Sequence, residues 1–189
     1  YLIYPTRLIE NKGVMDLIRI YACDVQKELP KVKLIGTGEL EGYFKRQVKL
    51  RGLQNRIEFC GFFDTEKLNL TYKDCLAVLN FSQLNETFGL TVIEAMASNK
   101  FVFVSDCGAL PSLVDENTGA VINFNQKEQD IVQLMIHKLD KVRHYEGSEI
   151  FRHFQARFSP EVHLLKLEKI YRDLIKTKEI PPDETQIIL

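Results

Sequence analysis

Short apolar runs alternate with amphipathic segments along the first two thirds of the chain. Six of these runs are apolar at nearly every position, which is typical of strands that are buried on both faces of a sheet. We predict strands at residues 2–4, 32–35, 57–59, 76–80, 101–104 and 120–123. The second and third runs end at turns that contain glycine.

The segments between these strands carry apolar residues at helical spacing. Apolar residues from Val14 to Val25 predict a helix over residues 13–29, which Pro30 ends. Residues 178–189 are predicted to be a flexible tail. Further helices are predicted over residues 39–51, 64–72 with Asp64 as the N-cap, 109–114, 126–142, 146–156 and 160–177, with one more after the fourth strand.

This alternation predicts an α/β fold with a doubly wound, Rossmann-like parallel sheet of about six strands. Helices cover both faces of such a sheet, and the helices after residue 126 form a C-terminal cap on it. In folds of this class, ligands bind beyond the carboxyl ends of the strands, at the point where strand order reverses. Candidate site residues are therefore sought in the loops that follow the strands.

Composition narrows the class of protein. The chain has 189 residues, of which 45% are hydrophobic and 27% charged, which is enough for one domain with a proper core. A net charge of −1 gives no global attraction to nucleic acid. The four cysteines and four histidines lack metal-site spacing, so no metal and no cofactor is expected.

The start of the chain and its last helix bear on whether further domains exist and on where the protein is located. The chain begins inside a predicted strand without an initiator methionine, so we interpret it as part of a longer protein that has a further N-terminal domain. No segment has the length of a membrane-spanning helix or a signal peptide, and we expect a cytoplasmic protein. The basic amphipathic helix at 160–177 would pack its apolar stripe on the domain or touch the inner face of a membrane peripherally.

The segment from Asn85 to Ala97 holds two glutamates, Glu86 and Glu94, at a turn that opens a helix. Backbone N–H groups at such a helix start, together with the helix dipole, bind phosphates. Gly89 has no side chain to keep a phosphate away. Taken singly, Glu86 is also explained as a helix cap and Glu94 as a residue of a solvated helix face.

The loop after the first strand places two cations five positions apart. Arg7 can fork onto phosphate oxygens, and Lys12 can add a point charge. Spacing alone is equally consistent with an ordinary basic loop.

Taken together, these features resemble the C-terminal, donor-binding half of the retaining glycosyltransferases of family 4, which have the GT-B fold. The resemblance covers residues 1–123 clearly and the C-terminal helices loosely. The loop before Glu86 has Phe81 where proline is common, which we expect to affect donor choice. The resemblance rests on Arg7, Lys12-Gly13, Gly36-Thr37-Gly38, Gly61, Asn80-Phe81-Ser82 and the pair Glu86 and Glu94.

The resemblance implies a role for each site residue. Arg7 and Lys12 would neutralise the diphosphate of a nucleotide sugar. Glu86 would contact the hydroxyls of the donor sugar, and Glu94 those of the ribose. The backbone amides of Phe88, Gly89 and Leu90 would hold the phosphate and sugar, and the turn at Gly38 would approach the donor. Arg7, Lys12 and Glu86 would be the catalytic residues of a metal-independent hexose transfer.

The resemblance also implies partners. The acceptor would be a glycan, a lipid or a protein, held mainly by the missing N-terminal domain. Residues 1–177 alone would therefore bind the donor weakly and have little or no transferase activity.

Three alternatives stay open at the level of sequence. The first is a non-catalytic partner subunit that keeps the fold for protein contacts. The second is a related GT-B enzyme such as an epimerase. The third treats Gly36, Gly38 and Gly42 as a dinucleotide-binding fingerprint, although these glycines follow the second strand rather than the first.

Overall fold

The computed structural model describes residues 1–144 and 148–177, so the predicted tail at 178–189 lies outside the described residues. Six parallel strands form one sheet in the order β3-β2-β1-β4-β5-β6, as predicted for a doubly wound fold. The strands are β1 (Leu2–Pro5), β2 (Val32–Ile35), β3 (Ile57–Phe59), β4 (Ala77–Asn80), β5 (Phe101–Ser105) and β6 (Gly119–Ile122).

Helices follow each strand, and their positions confirm the predicted alternation. Helix α1 packs against α6 and α4 packs against α7. The Asp64 carboxylate accepts a hydrogen bond from the Lys67 N–H at 2.8 Å, so Asp64 is the N-cap of α3 as predicted. The helices are α1 (Val14–Cys23), α2 (Glu41–Leu50), α3 (Thr65–Asp74), α4 (Leu90–Ala97), α5 (Leu110–Leu113), α6 (Glu128–Val142), α7 (Glu149–Phe158) and α8 (Pro160–Thr177).

Central strands are apolar at nearly every position because helices cover both sides of the sheet, and the polar residues Asn80 and Ser105 are the last residues of β4 and β5. Every residue of β5 is buried, and so is every residue of β4. The ladder between β1 and β4 is short, with Leu2 opposite Ala77 and Ile3 opposite Val78. The β1–β2 and β4–β5 ladders each have four residue pairs.

Helix α1 ends at Cys23, six residues before the predicted end. Asp24 stops it, because its carboxylate accepts hydrogen bonds from the N–H groups of Glu28 and Leu29 at 3.1 and 3.0 Å. The same carboxylate pairs with Arg56, which lies 2.5 Å away. Val25, which was expected on the buried stripe, is 82% exposed.

Helix α8 exposes much of its apolar stripe, so the expected packing of that stripe on the domain is confirmed only for part of it. Leu164 and Tyr171 are 63% and 62% exposed, while Leu167 and Leu174 are half-buried. The helix packs against α7. Among the described residues, no helix is both long and apolar enough to cross a membrane.

We predict that the Asp24→Ala substitution lowers the free energy of unfolding by about 3–5 kcal/mol, because it leaves the guanidinium of Arg56 buried without its partner. Asp140→Ala is the matched control. Its partner Arg143 is exposed, and such surface pairs contribute at most about 1 kcal/mol. Urea unfolding of the chain measures both, and equal losses would contradict the prediction.

Acid unfolding follows from the same pair. Burial opposes ionisation of Asp24, but hydrogen bonds from Arg56, Leu29 and Glu28 outweigh it and hold its pKa below the usual range. The contribution of Asp24 to stability is therefore complete above the unfolded pKa of about 3.9. It is lost as the pH falls through the lower folded pKa.

Candidate functional site

A cavity of about 580 Å³ opens beyond the carboxyl ends of β1 and β4. These two strands are neighbours, but the chain leads from β1 to β2 on one side and from β4 to β5 on the other. The cavity therefore lies at the switch point where ligands bind in doubly wound folds. It is lined by Pro5, Thr6, Arg7, Lys12, Ile35, Gly36, Thr37, Phe62, Phe63, Leu68, Asn80, Glu86, Thr87, Phe88, Gly89, Leu90, Thr91 and Glu94.

The loops that follow β1 and β4 meet over the hydroxyl of Tyr4. This fully buried hydroxyl donates a hydrogen bond to the carbonyl of Lys12 and accepts one from the N–H of Phe81 at 2.9 Å. Burial raises the pKa of Tyr4 far above its usual value, so the hydroxyl stays protonated as a donor. One side chain thus fixes the separation of the two loops.

Gly13 lets these loops approach each other. Its φ angle is 65°, and a Cβ atom at this position would lie 2.0 Å from the carbonyl oxygen of Phe81. A second backbone contact between the same two loops is the hydrogen bond from the Gln83 N–H to the Asn11 carbonyl at 2.8 Å. Glycine is therefore required at residue 13 both for its conformation and for its size.

Lys12 and Glu86 form an ion pair across the cavity floor. The Lys12 ammonium donates to the Glu86 carboxylate and lies 3.4 Å from the Ser82 hydroxyl. Partial burial opposes ionisation of Glu86, but hydrogen bonds from Lys12 and Ser82 and the charge of Lys12 hold its pKa below the usual range. The site thus holds an ionised carboxylate and an ammonium in direct contact at neutral pH.

The loop after β5 fixes the backbone of Glu86. The Ala109 N–H donates to the Glu86 carbonyl at 2.9 Å. Gly108 has a φ of 59°, and a Cβ atom there would lie 2.7 Å from both the nitrogen and the oxygen of Glu86. Sequence reasoning did not assign this supporting role to Gly108, because the contact joins segments about 20 residues apart.

Helix α4 points its uncapped N-terminus at the cavity. Gly89 is the N-cap with a φ of 83°, and no side chain accepts a hydrogen bond from the first turn. Within the described residues, the N–H groups of Leu90 and Thr91 have no acceptor. A Cβ atom at Gly89 would lie 2.8 Å from the side chain of Leu110. These free N–H groups and the helix dipole favour an anion.

Glu94 lies one turn further along α4 and lines the same cavity. The hydroxyl of Tyr72, on α3, donates a hydrogen bond to one of its carboxylate oxygens at 3.2 Å. Phe62, which is 76% exposed, lines the same cavity together with Phe63 and Leu68. The sequence gave no signal for Tyr72.

All but one of the predicted site residues line this cavity. The exception is Gly38, whose role is in packing, since a Cβ atom there would lie 2.3 Å from the Leu8 carbonyl oxygen. Gly36 and Thr37 line the cavity in its place. The cavity brings together Arg7, Lys12, Glu86, Phe88, Gly89, Leu90 and Glu94.

The dinucleotide fingerprint finds no support at its third glycine. Gly42 is exposed within α2, and the nearest atom to a Cβ built there is a guanidinium nitrogen of Arg46 at 3.7 Å. A glycine that lets a helix pack closely on a sheet would leave no such space.

A family model described as glycosyl transferases group 1 matches residues 1–146. The chain belongs to this family. Among the curated relatives of the chain is a lipopolysaccharide core biosynthesis mannosyltransferase, LpcC, from Rhizobium leguminosarum bv. viciae. It is 32% identical over 135 residues, which are 69% of this chain and 37% of the mannosyltransferase. The chain thus spans well under two thirds of that relative.

Two solved structures share the fold. The C-terminal domain of a group 1 glycosyl transferase (LpcC) from Francisella tularensis is 24% identical with a TM-score of 0.71, covering 85% of this chain and 87% of that one. HepE from Anabaena, solved with UDP and glucose, is 21% identical with a TM-score of 0.72, covering 91% of this chain and 48% of that one. The chain therefore has the fold of a GT-B C-terminal domain.

The close contact between the loops after β1 and β4 can be tested with a matched pair of glycines. Gly13 and Gly52 have φ angles of 65° and 66°, but nothing lies within 4 Å of a Cβ atom at Gly52. We predict that Gly52→Ala costs about 1–2 kcal/mol of stability, from backbone strain alone. Gly13→Ala should cost about 1–3 kcal/mol more, because the added methyl group pushes the two loops apart. Urea unfolding measures the difference, and equal costs would disprove the close contact.

Proposed function

We propose that this chain is the donor-binding domain of a retaining glycosyltransferase of family 4. The full protein would transfer a hexose-type sugar from a nucleotide diphosphate to a glycan, lipid or protein acceptor. The observation that carries this proposal is one cavity in which two cations, an uncapped helix end and two carboxylates meet. The complex of HepE, which has the same fold, with UDP and glucose supports a nucleotide-sugar ligand.

The diphosphate would lie between Arg7, Lys12 and the N-terminus of α4. Arg7 is exposed, and among the described residues its guanidinium pairs with no carboxylate, so its donors are available to phosphate oxygens. The free N–H groups of Leu90 and Thr91 would add uncharged donors. Together these groups would stabilise the negative charge that develops on the leaving diphosphate, without requiring a metal ion.

Lys12 would link the phosphate and the sugar. An ammonium has three N–H donors, and two of them are directed to Glu86 and Ser82. The third can reach a phosphate oxygen, which would place the Glu86 carboxylate beside the bond that breaks. Glu86 would bind sugar hydroxyls there, and its negative charge would stabilise the positive charge that develops on the reacting carbon.

The nucleoside would lie along the rest of the cavity. Glu94 would accept hydrogen bonds from the ribose hydroxyls. The base would lie near the exposed ring of Phe62, beside the turn at Gly36 and Thr37. The acceptor would be held mainly by a further domain of the full protein.

The proposal predicts selective binding of one nucleoside diphosphate. Titration calorimetry with the diphosphates of uridine, guanosine and adenosine, in buffer with EDTA, should show one clear preference. Arg7→Ala and Lys12→Ala should each weaken that binding by about 10- to 100-fold, because each removes charged hydrogen bonds to phosphate. Lys49→Ala, which removes an exposed charge from α2 outside the cavity, is the control. A chain that binds none of the three diphosphates would be a non-catalytic scaffold.

The Glu86→Gln substitution should distinguish the contribution of the sugar to donor affinity from that of the diphosphate. Removing this carboxylate frees Lys12, so the nucleoside diphosphate should bind as tightly as before or more tightly. The additional affinity that the sugar of the matching nucleotide sugar supplies should fall about tenfold, since a charged acceptor is lost. Parallel titrations with the two ligands measure this. Equal losses for both would place Glu86 with the phosphate and contradict the assignment.

A further inference from the structure

We infer that Tyr72 is a positioning residue that aims the Glu94 carboxylate at the ribose of the donor. The inference rests on the proposed function, because it assumes that Glu94 contacts the ribose. It adds a residue that lies beneath the cavity wall rather than on it, since Tyr72 is absent from the cavity lining.

The geometry carries the inference. Tyr72 is fully buried on α3, whereas Glu94 is exposed on α4 and lines the cavity. The Tyr72 hydroxyl donates to the Oε2 atom of Glu94 at 3.2 Å and so joins the two helices at this point. The same helix α3 contributes Leu68 to the cavity wall, so it both lines the site and supports it from behind.

The hydrogen bond restricts a side chain that would otherwise be free to rotate. An exposed glutamate has several rotatable bonds, and binding a ligand through it costs conformational entropy. With Oε2 held by Tyr72, the carboxylate keeps one orientation before the ligand arrives, and Oε1 stays available as an acceptor. Burial, followed by the charge of Glu94, raises the pKa of Tyr72, so the phenol remains a donor throughout the neutral range.

A purely structural role for Tyr72 makes a different prediction. In that case the bond to Glu94 would only satisfy a buried hydroxyl, as the bond from Tyr21 to the Pro30 carbonyl does at 2.6 Å. Tyr21 is equally buried and lies on α1, outside the cavity. Tyr21→Phe is therefore the matched control for Tyr72→Phe, since each removes one hydroxyl and keeps the ring.

The test compares ribose with a sugar that lacks both hydroxyls. Titration calorimetry uses the diphosphates of uridine, guanosine and adenosine and their 2′,3′-dideoxy counterparts. For the preferred base, the native chain should bind the ribose form about 10- to 30-fold more tightly. Tyr72→Phe should reduce this ratio about 3- to 10-fold by weakening the ribose form alone, and Tyr21→Phe should leave the ratio unchanged. Glu94→Gln should reduce the ratio as well, and the double variant should lose no more than Glu94→Gln alone.

The outcomes separate this inference from the proposed function. If the native chain binds none of the diphosphates, both are overturned. If the native chain binds and prefers ribose but Tyr72→Phe keeps the native ratio, or weakens both ligands equally, only the role of Tyr72 is overturned. If the native chain binds both sugars alike, Glu94 does not contact the ribose and the inference is wrong. Glu94→Gln changes an exposed side chain, so its result does not depend on whether Tyr72→Phe folds.

Discussion

The contact between the loops after β1 and β4 is the constraint on which the rest of the site depends. Lys12 and Glu86 are separated by 74 positions along the chain and belong to opposite halves of the sheet. They meet because the buried hydroxyl of Tyr4 ties the carbonyl of Lys12 to the N–H of Phe81, and because Gly13 presents no Cβ atom to the facing backbone. A buried hydroxyl and a close backbone contact thus determine the spacing of the two charges.

The backbone and the side chain of Glu86 are held by different parts of the structure. The backbone of Glu86 is held by the loop at Gly108 and Ala109, whereas its side chain is held by Lys12 and Ser82. The α4 terminus is left without a side-chain cap. A capping side chain would satisfy the first-turn N–H groups and would also occupy the place of an anion. The uncapped end is therefore consistent with a ligand that completes it.

Much of the fold followed from the sequence because the sheet is covered on both faces. Strands such as β4 and β5 must then be apolar at nearly every position, and their bounds were predicted to within one residue at each end. The end of α1 was missed because the Asp24 carboxylate binds both the N–H groups just after the helix and the distant Arg56, contacts that helical periodicity does not encode. The packing of Gly38 on Leu8, the support from Gly108 and the hydrogen bond of Tyr72 were missed for the same reason. Their roles depend on which backbone or carboxylate lies opposite them in space.

The short ladder between β1 and β4 has a further consequence. Because the two strands pair over only two residues, they separate toward their carboxyl ends, and the opening between them arises from the path of the backbone rather than from small side chains. Substitutions on the rim of the opening would then change its lining while the opening itself persists. Such a scaffold can therefore come to bind different ligands without any change of fold.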